Sequence, residues 1–159
     1  MENTLEIAAL IVSTIVMIIT GLALWFTIAS FEKQLQLNFF ADYTKRYQEI
    51  ILNFPESINR KDFDLDELED SLRDRTLRYM RAYFDLCSEE YYLWQKGNID
   101  NSTWQEWETG INFAFSKPAF QQAWRVLGLD TIYYGKFSEF VSKSIGAETH
   151  NQALQQPSC

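Results

Sequence analysis

The chain has 159 residues, of which 16% are aromatic and 47% apolar, and carries a formal net charge of −8. That is one domain's length with enough apolar material for a packed core. The acidic balance excludes nucleic acid as a partner, because phosphate binding needs a basic face.

Residues 1–6 form a short acidic tail expected outside the cell. Residues 7–31, IAALIVSTIVMIITGLALWFTIASF, then run 25 positions without a charge. A bilayer core of roughly 30 Å needs about 20 apolar residues in a helix, so this stretch predicts a transmembrane helix. A cleaved signal peptide would begin with a basic region and have a shorter apolar core. The lipid bilayer is therefore the first expected partner. Orientation follows basic residues near the span. The tail has none, and Lys33, Lys45 and Arg46 follow the span. This predicts a single-pass protein of the plasma membrane with its N-terminus outside and its C-terminal domain in the cytosol. Ala9 and Ser13 make a small-xxx-small pair of the kind that supports helix pairing.

Residues 32–146 read as a cytosolic helical domain. Leu35, Phe39, Tyr43, Tyr47, Ile50 and Phe54 recur at helical spacing. No Gly or Pro falls between Gly21 and Pro55, so one helix is expected to run from the membrane until Pro55 stops it. A polar connection is expected over 55–64. A second helix is expected from Asp64, with Leu65, Leu68, Leu72, Thr76, Tyr79, Tyr83, Leu86 and Cys87 on one stripe and Gly97 closing it. In a third helix, Ser102 with Gln105, or Thr103 with Glu106, is set to form a capping box. Trp104, Trp107, Ile111 and Phe115 give it an apolar face. Pro118 opens a fourth helix and Gly128 ends it; a fifth is expected from near Asp130. Residues 147–159 are polar and expected to be disordered. The fold class is all-α: one N-terminal transmembrane helix, continuous with the first cytosolic helix, and a bundle of about five helices.

The equipment for chemistry is sparse. The only cysteines are Cys87 and Cys159, and the only histidine is His150, so no metal or cofactor site and no catalytic residue is expected. Alternating carboxylates from Asp62 to Asp70 lack the glycine and the Glu of a calcium loop; a helix N-terminus explains them. Glu89 and Glu90 read as solvated helix surface, and Cys87 as a small core residue. Arg73, Arg75, Arg78 and Arg81 crowd the second helix. Pairs four apart, Glu69 with Arg73 and Asp74 with Arg78, account for them by local attraction; the alternative is a grip on an anionic group. The tryptophans exceed what a small core needs, and Gly110 in mid-helix suggests close approach of another helix. Arg75, Arg78, Arg81, Trp104 and Trp107 are the candidate interaction surface.

Phe84, Leu86, the paired Glu89 and Glu90, the Gly97-x-Ile99-Asp100 turn and Trp104-x-x-Trp107 form a pattern. It resembles uncharacterised small prokaryotic proteins with one N-terminal membrane helix and a helical cytosolic domain. The resemblance covers about a third of the chain and implies this architecture without an activity.

Together these features predict a non-catalytic, membrane-anchored interaction protein. It would be an adaptor or accessory subunit whose partner is another protein or a second copy of itself. The alternative is a membrane-tethered enzyme or sensor that takes an anionic lipid or nucleotide on the arginines of residues 73–81.

Overall fold

The computed structural model describes residues 2–128 and 131–154. These form five α-helices and no strand: α1 (Glu2–Ile51), α2 (Asp70–Gln95), α3 (Asn101–Phe115), α4 (Pro118–Leu127) and α5 (Phe137–Leu154). The chain divides into two units, residues 1–44 and residues 45–159.

The first unit is helical from Glu2, so residues 2–6 belong to α1. Its apolar stretch is long and hydrophobic enough to cross a membrane, and none of it is buried inside the protein. The hydroxyls of Thr14, Thr20 and Thr27 each donate to the carbonyl four residues back, at 2.8 Å. Each of these three hydroxyls is thereby satisfied within the helix, as an apolar environment requires.

The second unit begins with the last turns of α1. The helix stops at Ile51, before Pro55. The amides of Asn53 and Phe54 bond three residues back to Ile50 and Ile51, tightening the chain into a turn. Pro55 disfavours helix in the residue before it, which sets this exit.

The connection to α2 is longer and less polar in character than its composition suggests. The second helix starts at Asp70 rather than Asp64. Backbone turns close over 55–68, and the Asp64 carboxylate captures the amide of Asp66 at 3.0 Å. The Leu65 amide donates to Gln122 of α4 at 2.9 Å. Amides committed to side chains are withdrawn from a helix. Ile58, Phe63 and Leu65 are buried, so this loop helps to form the core. Helix α2 is then capped by Glu69, whose side chain accepts from the Ser71 amide.

Helix α2 is the centre of the bundle. It packs against α3, α4 and α5, and α3 also touches α4 and α5. The core is aromatic. Phe84 is fully buried, stacks with Phe115 at 5.4 Å and meets Trp124 edge-on at 5.1 Å. Phe137 and Val141 of α5 are equally buried. The turns follow the glycines. Gly97 has φ +74°; its amide bonds to Trp94 and that of Asn98 to Leu93, a Schellman closure that only a residue tolerant of left-handed backbone makes cheaply.

Two further differences concern the C-terminal third. Helix α5 begins at Phe137, not near Asp130, which lies outside the described residues. Residues 131–136 form a turn that includes Gly135 at φ +57°, and the Tyr134 amide is held by Ser88 Oγ at 2.7 Å. The helix also continues to Leu154, past the Gly146 at which disorder was expected. Residues 147–154 contain neither glycine nor proline, so no backbone breaker stops it. Residues 155–159, with Cys159, lie outside the described residues.

Candidate functional site

Where the last turns of α1 meet α2, ionisable groups converge. Arg46 Nη1 donates to Glu89 Oε2 at 2.8 Å, and both side chains are about one-third to two-fifths exposed (40% and 33%). One residue further on, Glu90 is only 7% exposed. The helix explains the contrast. Successive side chains differ by about 100°, and Glu90 falls three residues after Cys87 and seven after Tyr83, on the buried stripe. Tyr47 of α1 lies beside Tyr83, with ring centroids 6.4 Å apart.

Burial dominates the protonation of this cluster. It raises the Glu90 carboxyl from 4.5 to about 8; Arg46 opposes the shift and Glu89 adds to it. The Cys87 thiol is pushed well above its ordinary value by burial and then by Glu90. Tyr83 is raised in the same way, by burial and then by Cys87. Tyr47 rises by burial and then through Cys87 and Glu90. At neutral pH the cluster therefore holds a carboxylic acid, a thiol and two phenols, all protonated, beside one Arg–Glu ion pair. A thiol held protonated is not a nucleophile. This arrangement holds a proton on a buried carboxyl.

The assignment of Glu90 to solvated surface is thus corrected. The paired carboxylates have opposite environments, and the signal lay in the sequence: Glu90 continues the stripe of Met80, Tyr83 and Cys87. Tyr47 lay on the apolar stripe of α1 and Arg46 carried no signal, and nothing local shows that this end of α1 meets α2.

The candidate interaction residues do not come together. Arg73 bonds Asp66 at 3.1 Å rather than Glu69, whose carboxylate is occupied by Ser71. Arg75 bonds the neutral Asn53 at 3.2 Å, Arg78 is exposed, and Arg81 leans on Thr131 Oγ1 at 3.4 Å. The cluster is spread along α2. Trp104 is 3% exposed, so it belongs to the core and not to a surface, and it stacks on Trp94 at 4.8 Å. Trp107 is half-buried. Gly110 is exposed and a Cβ there would meet nothing within 4 Å, so no helix among the described residues approaches it.

A shallow groove of about 700 Å³ opens at the end of α2 beside Tyr91, Tyr92, Trp94, Lys96 and Asn101. The Trp94 indole N–H is already committed to Asn101 Oδ1 at 2.9 Å. Among the described residues no three His, Cys, Asp or Glu side chains converge as metal ligands.

No family model, no curated protein and no solved structure matches this chain.

Proposed function

We propose that this chain is a non-catalytic interaction protein anchored in a prokaryotic plasma membrane, an adaptor or accessory subunit that presents residues 32–146 to a partner in the cytosol. The observation that carries the reading is the first unit. Its large apolar side chains from Leu5 to Phe31 are all exposed. Lipid is the solvent that suits such a surface. Lys33, Lys45 and Arg46 on one flank, against no basic residue on the other, favour the N-terminus outside. The buried, protonated thiol of Cys87 favours a role without nucleophilic chemistry. The resemblance to uncharacterised single-helix prokaryotic membrane proteins agrees with this architecture.

Alkaline carbonate extraction of membranes, followed by protease added to intact cells, tests the anchor and its direction. The expected result is a chain retained in the membrane with residues 60–140 protected. Release by carbonate would overturn the anchor, and digestion from outside would overturn the orientation. Cross-linking of the full chain in membranes tests the partner. Adducts of defined mass support it, and a monomer alone at every cross-linker dose refutes it.

A second reading, an enzyme or sensor for an anionic lipid or nucleotide, draws on one observation. Arg75 and Arg78 are exposed and Arg75 bonds only a neutral amide, so guanidinium donors remain for phosphate. Mass spectrometry of lipids retained by the detergent-purified chain checks it. Anionic lipid lost on replacing Arg75, Arg78 and Arg81 with Gln supports this reading, and an unchanged lipid profile removes it.

A further inference from the structure

The contact between residues 45–51 of α1 and α2 contains a buried acid that the interaction reading does not use. Glu90 is 7% exposed and sits behind the Arg46–Glu89 ion pair. Among the described residues, charged and titratable groups that interact with it include Arg46 and Tyr47 from α1, and Tyr83, Cys87 and Glu89 from α2. Of these only Arg46 is a cation, and its guanidinium already holds the Glu89 carboxylate at 2.8 Å. Ionising Glu90 in place would put a second carboxylate beside one guanidinium, away from water and against two phenols and a thiol. A buried charge without its own partner is costly. Arg46 and Tyr47 of α1 are the groups from outside α2 that share electrostatic interactions with Glu90, so moving α1 away from α2 at this point is the route by which the carboxyl gains water.

We propose that Glu90 makes the contact between residues 45–51 of α1 and helix α2 a proton-dependent clasp, closed while the carboxyl is protonated and opened when it ionises. Residues 45–51 are the last turns of α1.

The sign follows from linkage. The closed state holds the proton up to about pH 8, whereas a solvated Glu releases it near 4.5. The open state therefore binds fewer protons across that window, and opening becomes about tenfold easier per pH unit inside it and independent of pH above it.

Hydrogen exchange of the full-length protein in detergent micelles, from pH 5 to pH 9.5 and normalised for intrinsic exchange rates, tests the clasp. Amides of residues 45–51 are expected to lose protection about tenfold per pH unit below about pH 8, then level off. They are expected to exchange faster than the α3 amides, which report wider unfolding. In Glu90→Gln, which keeps shape and removes the titration, protection of 45–51 should be flat with pH. Glu89→Gln removes a carboxylate that raises Glu90 and frees Arg46, which lowers it, so the slope should persist at low pH but level off at a lower pH than in the wild type. The proposal fails if wild-type protection is pH-independent, if the slope survives in Glu90→Gln, or if residues 45–51 exchange no faster than α3.

Discussion

The guanidinium of Arg46 and the carboxylate of Glu89 meet at 2.8 Å across 43 residues of chain, joining the end of α1 to the second half of α2. Water reaches both partners, so the pair locates the helices more than it stabilises them. In a double-mutant cycle, Arg46→Gln and Glu89→Gln should show a coupling of about 1 kcal/mol or less by urea denaturation. The coupling should shrink in high salt. A coupling of several kcal/mol, insensitive to salt, would show that the pair is far drier than its exposure indicates.

Glu90 should make the domain lose stability as pH rises. Its folded carboxyl titrates near 8 rather than 4.5, so the penalty is absent below about pH 4.5, grows through the interval and is complete above 8. The span corresponds to at most on the order of 5 kcal/mol, less whatever relaxation and water entry recover. Glu90→Gln should therefore be more stable than wild type at pH 8, with the gain shrinking towards pH 5. Denaturant midpoints at both pH values give the answer, and an equal difference at the two would contradict it.

Two glycines should respond in opposite senses. Gly110 lies in the exposed middle of α3, where a Cβ meets nothing within 4 Å, so Gly110→Ala should stabilise by about 0.5–1 kcal/mol. Gly97 sits at φ +74°, and Gly97→Ala should cost about 1 kcal/mol through left-handed strain. Thermal melts of the two variants should move in opposite directions.

Asp100 caps α3. Its Oδ1 accepts from the amides of Ser102 and Thr103 at 2.9 and 3.0 Å, and its carboxylate also accepts from both hydroxyls. The Ser102 hydroxyl leads these interactions in holding its carboxyl well below the usual range. A depressed acid contributes stability at neutral pH and loses it only as pH falls below the ordinary Asp range. Asp100→Ala should lower the melting temperature at pH 7, and Asp100→Ser should restore part of it by keeping an acceptor for the amides.

Phe84 joins the aromatic rings of three helices, touching Phe115 and Trp124. Phe84→Ala should cost about 3–5 kcal/mol, and Phe84→Leu much less. Equal loss in the two variants, measured by denaturant midpoint, would mean that the rings' geometry matters more than volume.

Local pattern was enough for the architecture. The 25 uncharged residues of 7–31, the helical recurrence of apolar residues, Pro118 at the start of α4 and Gly97 after α2 are properties of neighbours in the chain. Such short-range constraints set helix type, order and several ends without knowledge of the fold. The α3 cap shows where local rules compete. Ser102 and Thr103 both fit a capping box, yet Asp100, two and three residues before them, accepts both their amides.

Only the tertiary structure decided what each polar group experiences. Glu89 and Glu90 are adjacent and chemically identical, but one faces Arg46 at the surface and the other is buried. Arg73 and Arg81 find partners seven and fifty residues away, on other segments. Trp104 is core although its neighbourhood reads as a surface, because α2 and α5 bring Trp94, Tyr91 and Phe140 around it. Periodicity gives the phase of a helix, whereas burial and charge depend on which other helix lies against that phase, and that is set by contacts distant in sequence.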